Sequence, residues 1–287
     1  MSGELLLAVD IGNTNVSLTL MDELTAVGTA SVPSRTVDGP GLSAAMRDLF
    51  RTAGAHTVAG AAVVSVLLLT DAWVISAVAA TVGFPPWIVN HRHFAAPDAA
   101  VPRDGYAVAG MVGLDRLVVA VGAVAKAGFP VVTADIGTAV TVDTVAADAD
   151  GLPVFLGGAI LPGPTAWIAS LRSSAEGLAR PADPVSSHET APWFVPGPTP
   201  GICSSTDACI RTGLRHGLAG ALDRLLEQAR IQIGRPECPC LLTGGGAGVV
   251  AGLSGGFTRI EPHLCAIGMA ILHRRIVGND GRGGRGL

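Results

Sequence analysis

Leu5-Leu6-Leu7-Ala8-Val9-Asp10-Ile11-Gly12-Asn13-Thr14-Asn15-Val16-Ser17-Leu18-Thr19-Leu20-Met21 is the stretch that decides the fold of this chain. A short apolar run ends in a carboxylate, turns through Asp10 to Asn15, and resumes as β-type residues from Val16 to Met21. This pattern predicts a strand, a tight polar turn and a second strand. It returns at Pro130-Val-Val-Thr-Ala134, which runs into Asp135-Ile-Gly-Thr-Ala139 and then Val140-Thr-Val-Asp-Thr-Val145. Two such hairpins predict an internal duplication.

Between the hairpins, Leu42 to Ala53 has the spacing of an amphipathic helix, Val58 to Leu69 reads as a buried strand, Asp71 to Val82 as a helix and Trp87 to Asn90 as a short strand. Asp115 to Lys126 has helical spacing broken only by Gly122. In the second half Gly157 to Gly163 reads as a glycine-bracketed loop, Thr165 to Leu178 as a helix, and Arg180 to Gly201 as a proline-rich surface loop. Thr206 to Ile231 is the longest helical pattern, with glycines at 213, 217 and 220. Cys240 to Gly246 is a strand entering a glycine turn, and Cys265 to Val277 closes with a helix. Alternating β and α segments favour an α/β architecture with mixed sheets. The expected divisions are 1–116, 117–277 and a disordered Gly/Arg-rich tail over 278–287.

Composition limits the function. The chain has 287 residues, 49% hydrophobic and 15% charged, with 38 glycines and 19 prolines, below the range of low-complexity disorder. It carries 19 basic against 23 acidic groups, net −4, with no dense basic surface for nucleic acid. Lys126 is the only lysine and sits in Ala-Val-Ala-Lys-Ala-Gly, which excludes a P-loop. Apolar runs break before the roughly 18 residues that a membrane span requires. The first of them has no positive flank and ends at Asp10, unlike a signal peptide. Cys203, Cys209, Cys238, Cys240 and Cys265 lack zinc spacing. Cys238-Pro-Cys240 could be a metal or redox pair, but ordinary reduced cysteines of a cytosolic protein are the preferred reading.

Each polar turn has a chemical and a bland reading. At Asp10 the glycine permits close backbone approach, Asn13 and Thr14 add polar groups that converge on an anion, and the carboxylate can hold hydrated Mg²⁺. The alternative is an Asx-type turn without ligand. Asp135-Ile-Gly-Thr repeats the carboxylate, glycine and hydroxyl, and Gly244-Gly-Gly246 adds a third glycine turn after a strand. Three such turns suit a nucleotide cleft between two related domains. In Gly113-Leu-Asp115-Arg116 the acid is either a helix cap or a base beside an anion-binding arginine.

Taken together, Asp10 to Asn15, Gly113 to Arg116, Asp135 to Asp143, Gly157-Gly-Ala-Ile-Leu-Pro-Gly163, Thr206 seven residues before Gly213, and Thr243 to Gly246 resemble the type III pantothenate kinases, of the acetate kinase, Hsp70 and actin superfamily. The order of these motifs holds over nearly the whole chain. The resemblance implies two ribonuclease-H-like, actin-like ATPase domains with a duplicated core. It also implies a cytoplasmic homodimer that phosphorylates pantothenate with ATP in the first step of coenzyme A synthesis. By position, Asp10, Ile11, Gly12, Asn13, Thr14, Asn15, Val16 and Ser17 would hold the ATP phosphates, with Asp10 near Mg²⁺ and Thr138 also on ATP. Asp135 would bind a monovalent cation, K⁺ or NH₄⁺. Asp115 would be the general base. Tyr106, Gly113, Leu114, Asp115 and Arg116 would line the pantothenate pocket, with Thr206 reaching it across the dimer.

Where the family usually has Asn-Pro between Tyr106 and Gly113, this chain has Val108-Ala109. Two other readings therefore accompany the first: a kinase for another small polar alcohol, and a catalytically retired homologue that regulates through protein contacts. Asp10, Asp115, Arg116 and Asp135 all being present favours an enzyme, since a binding protein has no chemical need for all four.

Overall fold

The computed structural model describes residues 4–66, 71–95, 98–174 and 201–280. The proline-rich stretch up to residue 200 and the tail over 281–287 lie outside these residues, as do the expected ends of the helix after Ser174 and of the strand after Val66. Two compact units emerge: one of Met1–Gly128, Ala147–Phe155 and His263–Leu287, the other of Phe129–Ala146 and Leu156–Pro262.

In the first unit, β1 (Leu6–Ile11) is central. It pairs antiparallel with β2 (Asn15–Asp22), whose other edge takes β3 (Thr25–Pro33), and parallel with β4 (Gly60–Ser65), followed by β5 (Trp87–Ile88). The sheet order is β3-β2-β1-β4-β5. The continuous apolar run of β1 reflects a strand covered on both faces. Helix α1 (Gly39–Thr52) starts where the Asp38 carboxylate accepts from the Gly41 N–H at 2.8 Å, and it buries Leu42, Met46 and Leu49. Helix α2 (Asp71–Val82) matches the sequence expectation residue for residue.

Helix α3 (Leu114–Ala127) packs on α6 (Leu264–Asp280). The two backbones nearly touch. A Cβ on Gly122 would fall 2.1 Å from the Leu264 carbonyl oxygen, and one on Gly268 would fall 2.0 Å from that of Val118. Gly122, which looks in sequence like a weak point of the helix, is thus its contact with α6. Helix α6 also continues through residues 278–280, expected as the start of the tail. α6 joins α3 in the first compact unit.

The second unit repeats the first. β7 (Val131–Ile136) pairs antiparallel with β8 (Ala139–Ala147) and parallel with β10 (Cys240–Thr243), which is bordered by β11 (Arg259–Ile260). β9 (Pro153–Pro162) lies beside β8 and takes the two-residue β6 (Arg103–Asp104) on its outer edge, so the order is β11-β10-β7-β8-β9-β6. Numbered from β1 and from β7, and setting the edge strand β6 aside, both sheets run 3-2-1-4-5, the duplicated ribonuclease-H-like core. The registers agree as well: Asp10 faces Ser17 and Val64, and Asp135 faces Thr141 and Thr243.

The expected loop Gly157–Gly163 is instead the main part of β9. Its glycines hide the strand signal because they contribute no alternation of side chains, yet close approach requires them. A Cβ on Gly158 would lie 1.8 Å from the Val142 carbonyl oxygen. α4 (Pro164–Ser174) follows, then α5 (Thr206–Gln232), which runs unbroken through Gly213, Gly217 and Gly220 and buries Leu214, Leu218, Leu222 and Leu226 on one stripe. Among the described residues no helix is long and apolar enough to cross a membrane.

Candidate active site

The first hairpin turn is held from two sides. Gly12 N–H donates to the Asn15 carbonyl at 3.0 Å, closing the turn. Ser34, just past β3, donates from its hydroxyl to the Gly12 carbonyl at 2.7 Å and from its backbone N–H to the Thr14 carbonyl at 2.9 Å. Asp10 is half-buried at the end of β1, while Asn13, Thr14 and Asn15 are exposed. Ile11 and Val16 point into the core, and Ser17 is half-buried.

The equivalent turn in the second unit closes by Gly137 N–H donating to the Ala139 carbonyl at 2.9 Å, with Thr138 exposed at its tip. Here the third glycine motif is packed in. Gly246 N–H donates to the Ile136 carbonyl at 2.8 Å. Gly244 has φ +88°, and a Cβ on it would meet Asp135 Oδ1 at 2.2 Å and the Ile136 carbonyl at 2.6 Å. Gly163 likewise lies where a Cβ would meet the Gly137 and Thr138 carbonyls at 2.3 and 2.4 Å. The structure thus unites three motifs that are far apart in sequence: Asp135-Ile-Gly-Thr138, the end of Gly157–Gly163, and Gly244 to Gly246. Arg215, buried in α5, donates from Nε to the Val249 carbonyl at 3.1 Å and anchors the turn that follows Gly246.

The segment before α3 forms a second polar constellation in the first unit. β6 (Arg103–Asp104) pairs parallel with Val154 and Phe155 at the start of β9. The Asp104 carboxylate accepts from the Tyr106 N–H at 3.0 Å and the Gly110 N–H at 2.9 Å, which folds the intervening loop. Val108 and Met111 are exposed on that loop, at 64% and 72%. Arg116 is buried, and its Nη1 donates to the Tyr106 hydroxyl at 2.8 Å. The guanidinium lies 5.6 Å from the ring centres of both Tyr106 and Phe155, and those rings are 5.8 Å apart. A buried guanidinium is costly without partners, and a phenol oxygen with two aromatic faces supplies several.

Gly113 is the N-cap of α3, Leu114 its first residue and Asp115 lies in its first turn. A Cβ on Gly113 would meet Asp115 Oδ1 at 2.5 Å, so the carboxylate occupies space that only glycine leaves open. Thr206 belongs to the other unit. It is the exposed first residue of α5, after Ser205, whose hydroxyl accepts from the Ala208 N–H at 3.3 Å.

Sequence reasoning missed Ser34, Asp104, Phe155 and Arg215. Asp104 had a visible signal, since an acid followed by glycine is a turn former. Ser34 and Phe155 had none, because only strand pairing brings them to the residues they touch.

Oxygen donors dominate both hairpin turns: the carboxylates of Asp10 and Asp135, the Ile136, Gly137 and Thr138 carbonyls, and the Thr14 and Thr138 hydroxyls. This is the chemistry of hard cations such as Mg²⁺ or K⁺. The Cys238–Cys240 pair is different. Both thiols are buried; burial raises that of Cys238 and pushes that of Cys240 up to about 11. Among the described residues no three His, Cys, Asp or Glu side chains gather as a metal site.

The chain is similar to known proteins over most of its length. A profile of the type III pantothenate kinases matches residues 6–228. A type III pantothenate kinase from Anaeromyxobacter sp. (strain K) is 31% identical over 94% of this chain and 99% of its own length. One from Paracoccus denitrificans is 29% identical over 94% of this chain and 96% of its own. Among solved structures, one from Campylobacter jejuni described as a conserved Baf family transcriptional activator superposes with a TM-score of 0.50 at 16% identity. It covers 95% of this chain and 99% of its own, a likeness of fold alone.

Proposed function

The chain belongs to the type III pantothenate kinase family, and we propose that it transfers the γ-phosphoryl group of ATP to the primary hydroxyl of pantothenate, the first step of coenzyme A synthesis. The observation that carries this reading is Arg116. It is a buried cation fixed by Tyr106 and Phe155, directly after Asp115 at the start of α3. Pantothenate is a carboxylate that also bears a hydroxyl, so one end of it matches a guanidinium and the other needs a base.

Asp115 is the general base that accepts the hydroxyl proton as the bond to phosphorus forms. Tyr106, Gly113, Leu114, Asp115 and Arg116 hold the acceptor, and Thr206 of the second protomer of a homodimer completes its pocket. Residues Asp10 to Ser17 hold the ATP phosphates, with Thr138 as a further contact. Asp10 would hold Mg²⁺ and Asp135 a monovalent cation, K⁺ or NH₄⁺; bound there, the cations neutralise phosphate charge that the lone lysine, Lys126, cannot. Most of the rate then comes from positioning and electrostatics, which suits a site built on strand ends and a helix start. The chain acts in the cytoplasm. The repeated strand order supports two duplicated domains, 1–116 and 117–277 in the sequence reading.

A kinase for another small alcohol draws on Val108 and Met111, apolar and exposed on the loop between Tyr106 and Gly113. Coupled ADP release with and without pantothenate, in K⁺ and in Na⁺ buffers, separates the two readings. Pantothenate-dependent, K⁺-stimulated turnover is the expected result. ADP release that pantothenate does not stimulate would remove pantothenate as the acceptor.

A further inference from the structure

We propose that Ser34 is a positioning residue for the Asp10–Ser17 phosphate turn. This rests on the reading of that turn as the nucleotide site and adds a residue outside the motif. Ser34 makes two hydrogen bonds to the turn, one from its hydroxyl to the Gly12 carbonyl at 2.7 Å and one from its N–H to the Thr14 carbonyl at 2.9 Å. With Gly12 N–H on the Asn15 carbonyl, three of the four carbonyls from Gly12 to Asn15 have a protein donor.

The consequence follows from peptide geometry. A trans peptide is planar, with its C=O and N–H pointing in opposite directions. Holding the Gly12 carbonyl toward Ser34 therefore aims the Asn13 N–H the other way, and holding the Thr14 carbonyl does the same for the Asn15 N–H. A phosphate is attracted by N–H groups and repelled by carbonyl lone pairs. Ser34 thus keeps carbonyl oxygens away from the incoming anion and fixes amide donors before it binds, the preorganisation that costs nothing at the moment of reaction. Its position on the extension of β3 explains how one residue reaches both carbonyls, because Asn15 pairs with Pro33 immediately before it. The backbone bond would survive any substitution that keeps β3 in place. The hydroxyl bond alone is the removable part, and it sets the orientation of the peptide linking Gly12 to Asn13.

The test compares Ser34→Ala with Ser34→Thr, which keeps the hydroxyl. Mg²⁺ with a non-hydrolysable ATP analogue is titrated calorimetrically without acceptor, so the result does not depend on what the acceptor is; KM and kcat are then measured for ATP and pantothenate. Ser34→Ala is expected to weaken analogue binding and raise KM for ATP by about five- to thirty-fold, the effect of one or two kcal/mol. The KM for pantothenate stays the same, and Ser34→Thr recovers most of the loss. A melting temperature for each variant separates this from general loosening. Analogue binding by Ser34→Ala equal to that of the parent would overturn the proposal, as would a loss that Ser34→Thr does not restore. A parent protein that binds the analogue but leaves pantothenate unphosphorylated would refute the acceptor and leave the Ser34 comparison intact; a parent that does not bind the analogue would overturn both.

Discussion

The Tyr106 hydroxyl accepts a hydrogen bond of 2.8 Å from Nη1 of Arg116, and the same guanidinium lies over the Tyr106 ring. One side chain thus supports the cation in two ways, and they can be separated. Tyr106→Phe keeps the ring and its position against Phe155 but removes the oxygen, leaving a buried N–H of a charged group without that acceptor. The expected result is a rise in KM for pantothenate of about ten-fold, equivalent to ~1.4 kcal/mol, with KM for ATP unchanged. Steady-state kinetics with each substrate varied in turn decides it; an equal rise for both substrates would show that Tyr106 does not act through acceptor binding.

Asp115→Asn keeps the size of the side chain and its place over Gly113 while removing its ability to take a proton. General-base catalysis contributes about 10²- to 10⁴-fold, so kcat should fall by that order. Affinity for Mg²⁺ and an ATP analogue should hardly change, because the phosphate turns are elsewhere in the chain. Near-normal turnover by the variant would remove Asp115 from the role of base.

Much of this site is legible in the sequence because it is built from contiguous turns. Asp10-Ile-Gly, Asp135-Ile-Gly-Thr and Gly113-Leu-Asp-Arg each carry their chemistry within a few residues. The strand-turn-strand signal around the first two is strong because both flanking strands bury their apolar residues. What sequence could not supply was tertiary. Ser34 is 22 residues from Gly12, and only the β2–β3 pairing brings them together. Gly122 suggests a helix break until its contact with Leu264 is known, and Gly157 to Gly163 suggests a loop until β8 is seen beside it. In each case glycine marks a close backbone approach, which local pattern rules read as flexibility.

Gly244→Ala tests the union of the glycine turn with Asp135. At φ +88° a Cβ is strained, and here it would also collide with Asp135 Oδ1 and the Ile136 carbonyl. Loss of stability of about 1–3 kcal/mol is expected in urea unfolding, the cost of a side chain forced into such a backbone conformation. Since the collision displaces the Asp135 carboxylate, the K⁺ concentration for half-maximal activity should rise as well. Gly245→Ala is the control, because a Cβ there meets nothing within 4 Å. If the two variants behave alike in urea, the packing of Gly244 against Asp135 is not what holds this turn.

Trp87 lies between two histidines, stacked on His93 at 4.7 Å and edge-on to His273 at 6.1 Å, and this arrangement predicts a pH dependence. Burial lowers the pKa of His93, with the nearby Arg92 adding to the effect, and burial alone lowers that of His273. Both rings therefore favour the neutral form when folded, and the unfolded chain binds the extra protons. Their contribution is fully present above the ordinary histidine value of 6.5 and is lost as the pH falls through the lowered folded values. His273 is also packed against β4: a Cβ on Gly60 would lie 2.8 Å from its Cε1. Melting temperatures should be flat from pH 8 to 7 and decline by a few degrees toward pH 5. His273→Gln should lower the plateau, since the ring's packing is lost, and should also flatten the decline. A decline of undiminished slope in His273→Gln would assign the acid sensitivity to other groups.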